Sequence, residues 1–224
     1  MKTKEKILAA ALELFSRKGF SGVSVRDIAA TVGVRESAMY KHFAGKQAVF
    51  DELVDRYMAK SDAFMSGIGA LPSENPDELK KAAKMYSQLT DEDFLRIGSS
   101  VFTDFLMQPD VLNFWRMISI ERFHNPELAK MWYRHLFETP IEFQTGLFGL
   151  LISIGAIKSV DPSLLALEFF TPLLLLYLQA LPFAPDSTEF LRSLALSNRH
   201  MAHFREIYAI DSNKKRKENE NNRY

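Results

Sequence analysis

The chain has 224 residues, 47% of them apolar and 25% charged, which is ample for a buried core and excludes a largely disordered chain. Its formal net charge is zero, but residues 1–50 hold nine Lys and Arg against four acids and residues 211–224 hold five against three, so a basic head and tail flank an acidic middle. Cysteine is absent, which excludes disulfides and thiolate metal sites, and no signal-peptide pattern opens the chain, so the cytoplasm is expected.

A first helix is predicted over 3–18, where Ile7, Leu8, Ala11, Leu14 and Phe15 recur on one face. Gly19 should end it in a left-handed cap, with Phe20 folding back on Phe15. Residues 24–46, SVRDIAATVGVRESAMYKHFAGK, form the most informative stretch. Ser24 is placed to cap a helix over 25–32, with Asp27 as its capping-box partner and Ile28, Ala29 and Val32 as its buried face. Gly33 then permits a turn, and Ala29, four residues earlier, is small enough for two helices to cross closely. A second short helix, over 37–43, buries Val34, Met39 and Phe43 and leaves a polar face outside. Such a helix has the form that enters a DNA major groove.

A helix over 46–66 follows, and prolines then punctuate the chain. Asn75-Pro76, Asn125-Pro126 and Asp161-Pro162 each pair an N-cap residue with proline at the first helical position. Asp91 marks a further start, and Gln108-Pro109 separates that run from the next. Helices are therefore predicted over 76–88, 91–107, 109–123, 126–153 and 162–208, the last broken at 181–185, with Pro140 and Pro172 kinking or breaking theirs. No segment alternates as a strand, so the fold class is all-α, with ten helices. Residues 164–181, LLALEFFTPLLLLYLQAL, approach the ~20 apolar residues of a membrane span. Glu168, Thr171, Pro172 and Gln179 favour a buried helix at a dimer interface instead, with no membrane partner.

KEKILAAALELFSRKGF, SVRDIAATVGV and AMYKHFAGKQAVFDELV, in that order, resemble the DNA-binding head of the TetR family of bacterial transcriptional regulators over about residues 4–54. The resemblance implies a three-helix DNA-binding head with a helix-turn-helix at residues 1–48, a helical effector-binding and dimerisation domain at 49–210, and a polar tail at 211–224. It also implies phosphate contacts for Tyr40, His42 and Lys46. Lys46 stands at the start of a helix, where the dipole disfavours a cation and a phosphate would offset it. Ser24 and Arg26 should face the groove edge, and Ser37 and Lys41 complete the DNA-binding set. Arg35 has the donors for guanine and Glu36 an acceptor for cytosine, although Glu36 suits a helix N-terminus equally well. Ala38 stands where relatives often carry a hydroxyl that contacts DNA.

One head makes few contacts, so a homodimer on a palindromic double-stranded DNA operator is expected. Segments 162–181 and 186–208, with Leu173, Leu176, Tyr177, Phe190 and Leu194, are the expected interface, which by resemblance is a four-helix bundle. Relatives bind effectors among their middle helices, which here are dense in aromatics. Phe102, Phe105, Trp115, Arg116, Phe123, Trp132, Tyr133 and Phe143 are the candidate pocket for a small hydrophobic or aromatic effector, although such a stripe is more often core than pocket. Arg116, Glu121, Arg122, His124 and His135 suit a cavity or a solvated face alike. No metal or cofactor is expected. His200, His203 and Glu206, at i, i+3 and i+6, leave metal sensing as a variant. No nucleophile, phosphate loop or paired-carboxylate motif supports an enzyme. The remaining alternatives are a regulator without an effector and a helical protein-interaction module.

Overall fold

A computed structural model describes residues 2–69, 76–184 and 186–209, with the exception of the Phe102 side chain. Eleven α-helices are formed among them: α1 (Thr3–Lys18), α2 (Val25–Val32), α3 (Glu36–Tyr40), α4 (Lys46–Gly67), α5 (Pro76–Ser87), α6 (Asp91–Ser100), α7 (Pro109–Glu121), α8 (Pro126–Tyr133), α9 (Thr139–Ser153), α10 (Pro162–Ala180) and α11 (Thr188–Tyr208). Among the described residues, β pairing is limited to one isolated bridge, Ile157 with Ala209. The fold is all-α.

Several boundaries follow from local chemistry. Asn125 accepts from the Glu127 and Leu128 amides, and Asp161 from those of Ser163 and Leu164, so both proline-led starts are capped as expected. Asn75, the third such cap, lies outside the described residues. The predicted helix over 126–153 is interrupted by a π-helical segment at Arg134–Glu138, immediately before Pro140. Proline has no N–H for the carbonyl four residues back and its ring crowds that carbonyl, and a widened turn relieves both. A second π segment, Val101–Leu106, follows α6 within the predicted 91–107 helix. By contrast, α10 runs on through Pro172. It is long and apolar enough to cross a membrane by length and composition.

The chain divides into two units. The first comprises Met1–Ile68, Ser100–Leu136 and Leu181–Pro185, so α4 passes position 48 unbroken and α7 packs on α1 in the same unit as the head. Its core joins Ile7, Leu8, Ala11 and Phe15 of α1 to Ile28, Ala29, Met39, Phe43, Val49 and Phe50. Farther along α4, Tyr57 stacks on Phe114 at 3.9 Å between ring centres, and Trp115 meets it edge-on. The Trp115 indole N–H donates to the Tyr57 hydroxyl at 2.9 Å, and burial pushes the Tyr57 phenol well above its ordinary range.

The second unit comprises Gly69–Ser99, Phe137–Ala180 and Asp186–Tyr224, and in it α10 packs against both α9 and α11. Its core is built on Ala82, Ala83, Leu147, Phe148, Leu151, Leu165, Ala166 and Phe204. The rings of Phe148 and Phe169 meet Phe204 at 5.5 and 4.9 Å.

Candidate nucleic-acid interface

The capping box at the start of α2 is complete. The Asp27 amide donates to Ser24 Oγ at 3.1 Å, while the Ser24 amide and hydroxyl donate to Asp27 Oδ2 at 2.8 and 2.6 Å. The Ser24 hydroxyl, with its amide and charged neighbours, holds the Asp27 carboxyl below its usual range. At the other end of α2, Gly33 adopts φ 76° and ψ 32°, and the Val34 amide closes back on the Ala29 carbonyl at 2.9 Å. The turn sets α3 so that Met39 and Phe43 enter the core with Ile28 and Ala29. Helix α3 stops at Tyr40, three residues short of the predicted end, because the Met39 carbonyl accepts from both His42 and Phe43 and closes a turn.

Burying one side of α2 and α3 exposes the other. Arg26, Arg35, Glu36, Ser37, Tyr40, Lys41 and His42 all lie on the exposed surface of this helix pair, with Tyr40 56% exposed. The side chains of Arg26, Arg35 and Lys41 form no hydrogen bond or ion pair among the described residues. Three unpaired cations on one exposed helix pair suit a polyanion. Ser24 differs from the others, because its hydroxyl is committed to the cap.

Lys46 also differs from expectation. Its ammonium donates to the Phe20 carbonyl at 2.6 Å and to the Val23 carbonyl at 2.7 Å, and it lies 4.2 Å from the centre of the Phe20 ring. Those carbonyls in the α1–α2 corner supply the compensation that was assigned to a phosphate. Gly19, just before that corner, has φ 71° and ψ 165°, a positive-φ conformation outside the left-handed helical region expected for its cap; Phe20 still meets Phe15 at 5.4 Å. The amide of Phe20 donates to Glu121 Oε1 at 2.6 Å, from a carboxylate only 6% exposed. Glu121 carried a legible signal: it lies three residues after Ile118 and so extends the buried face of α7.

Within their own units, the described members of the proposed aromatic pocket divide between core and surface. Phe105 and Trp115 are in the core of the first unit, where Phe105 stacks on Phe64 at 4.9 Å. Arg116 donates to the carbonyls of Leu181 and Phe183 at 2.8 and 2.9 Å. Phe123 and Tyr133 are 76% and 57% exposed, and the Arg122 guanidinium lies 3.8 Å from the Trp132 ring centre. Phe143 packs in the second unit, and the Phe102 side chain lies outside the described residues. Packing has thus assigned these aromatics to core and surface.

Two of the expected interface residues, Tyr177 and Phe190, are buried inside the second unit and are corrected to core. Leu173, Leu176 and Leu194 are half-buried, whereas Leu164, Leu167 and Leu175 on α10 and Leu191 on α11 are about half exposed. His200 Nε2 lies 2.9 Å from the Phe169 carbonyl, and the described residues contain no group of three His, Cys, Asp or Glu able to hold a metal ion. The tail at 211–224 lies outside the described residues.

Residues 7–53 match the pattern of the bacterial regulatory proteins of the tetR family. Over these residues, the chain carries the TetR-family DNA-binding head. The TetR-family head is 37% identical over 51 residues to the biofilm operon icaADBC HTH-type negative transcriptional regulator IcaR of Staphylococcus aureus, covering 23% of this chain and 27% of IcaR. The chain thus matches about a quarter of that relative's length. Likeness of fold extends farther. MexZ, described as a key repressor responsible for antibiotic resistance in Pseudomonas aeruginosa, superposes with a TM-score of 0.61 at 18% identity, covering 91% of this chain and 94% of MexZ. A putative transcriptional regulator from Saccharomonospora viridis in complex with choline gives 0.58 at 16% identity, covering 93% and 98%. At these identities the likeness is one of fold, extending over the helical body as well as the head.

Proposed function

We propose that this chain is a cytoplasmic, DNA-binding transcriptional repressor that acts as a homodimer on a palindromic operator and is released by a small-molecule effector. The observation that carries the reading is the exposed face of α2 and α3, where Arg26, Arg35 and Lys41 stand unpaired beside Tyr40 and His42 on a helix pair whose opposite side is buried. Arg35, at the residue before α3, has the donors for a guanine edge, while Tyr40, Lys41 and His42 suit phosphates. Dimerisation supplies the second half-site, and the half-exposed leucines of α10 and α11 are its proposed surface. Support for an effector comes from the choline complex of the fold neighbour.

The test is fluorescence anisotropy with a duplex recovered from a random-sequence pool by the protein itself. Affinity should fall steeply with salt, and Lys41→Ala should lower the slope of log affinity against log salt by about 1. Arg35→Ala should in addition weaken discrimination between duplex sequences. A salt-independent interaction, or recovery of no duplex, would count against DNA as the partner. Repeating the titration with a panel of small apolar compounds tests release: an effector must lower duplex affinity and raise thermal stability of the free protein.

A further inference from the structure

Phe20 is held from two directions by groups of opposite charge. Its amide donates to Glu121 Oε1 on the last residue of α7 at 2.6 Å, and its carbonyl accepts from Lys46 Nζ on the first residue of α4 at 2.6 Å. Its ring is wedged between Phe15 and Phe50, with centres 5.4 and 5.2 Å away. A carboxylate buried to this degree is costly unless it is bonded, and packing alone would be served by an apolar side chain of the same size. The glycine before Phe20 fits the same arrangement. A Cβ on Gly19 would lie 2.7 Å from Glu121 Oε1 and 3.1 Å from Ile120 Cγ2, so the approach of α7 leaves no room for a side chain there.

We propose that Glu121 is a positioning residue for DNA binding: by holding the Phe20 amide it fixes the α1–α2 corner against α7, and through Phe20 it fixes Lys46 and the start of α4. This deepens the DNA-binding reading and rests on it. Glu121 itself touches no DNA. Displacement of the end of α7 is transmitted to the corner through one charge-assisted hydrogen bond, and the Lys46 ammonium, bound to the carbonyls of the same corner, follows.

The experiment compares wild type, Glu121→Ala and Glu121→Gln, each as the full chain, on the duplex recovered by the wild type. Affinity, its salt slope, thermal stability and hydrogen exchange of the Phe20 amide are measured. Glu121→Ala removes the acceptor; it should weaken duplex binding about tenfold and speed exchange of the Phe20 amide about tenfold or more. The salt slope should stay unchanged, because the phosphate contacts are intact. Glu121→Gln keeps an acceptor oxygen and the size of the side chain but loses the charge, and should recover part of the affinity. A residue that only packs would lower thermal stability and leave the affinity of the folded protein unchanged. Wild-type affinity in folded Glu121→Ala overturns the proposal, and if that variant does not fold, wild-type affinity in Glu121→Gln together with faster exchange of its Phe20 amide overturns it. Failure of the DNA reading shows separately, in the wild type recovering no duplex, and the positioning role then falls with it.

Discussion

At the scale of single residues, the head shows two uses of glycine with different physical causes. Gly33 sits at φ 76° with nothing within 4 Å of the Cβ it lacks, so what selects glycine there is backbone conformation alone. Gly33→Ala should therefore cost about 1 kcal/mol in urea unfolding, the ordinary penalty for a side chain in the left-handed region. Gly45, also in open space but at an extended φ of 164°, serves as the control, and Gly45→Ala should change stability by less than about 0.5 kcal/mol. Equal costs at the two positions would contradict the conformational argument. Gly19 combines a positive φ with a close approach by Glu121, a crowding that local sequence does not show.

At the scale of elements, α1 and α4 are tied by a small ionic network. Arg56 reaches both oxygens of Glu5 at 2.6 and 2.9 Å and binds Glu52 at 3.0 Å, and Lys4 binds Glu52 at 2.9 Å. Arg56 holds Glu5 below the usual carboxylate range, and Lys4 followed by Arg56 does the same for Glu52. Carboxyls lowered in the folded state stabilise it fully above their unfolded values and lose that contribution as pH falls through the folded ones. The first unit should therefore melt at progressively lower temperature as pH drops from about 5 toward 3, and less steeply in high salt because the network is exposed. Both tryptophans of the chain, Trp115 and Trp132, lie in this unit and supply the fluorescence signal. A Glu5→Gln, Glu52→Gln double variant should flatten the dependence; an unchanged pH profile would remove the network from the account.

For the whole molecule, the question is what covers α10. Leu164, Leu167 and Leu175 are 54%, 47% and 55% exposed on a helix whose other side fills the core. If this surface pairs two copies, the wild type should sediment at about twice the 25.6 kDa chain mass. Leu167→Glu with Leu175→Glu should shift the assembly to a monomer with helicity retained, since neither side chain is in the core. A wild type that is monomeric at micromolar concentration would rule out the dimeric form of the proposal.

The sequence by itself determined the elements whose causes are local: the Ser24–Asp27 cap, the Gly33 turn, the proline-led starts of α8 and α10, and the inward faces of α1 to α3, all written within a few residues of one another. It also determined the polar face at 35–42, because burying Met39 and Phe43 exposes what lies opposite. Tertiary structure alone decided the long-range partners. Helical spacing gives an aromatic or a charge a face but not what that face meets, so Trp115 and Phe105 became core, Tyr177 and Phe190 turned inward, and Phe123 stayed outside. Lys46 has the same origin. Its helix start was legible, but the carbonyls of Phe20 and Val23 that engage its ammonium come from a corner more than twenty residues away, and the Glu121 carboxylate that grips that corner from α7 lies about a hundred residues away.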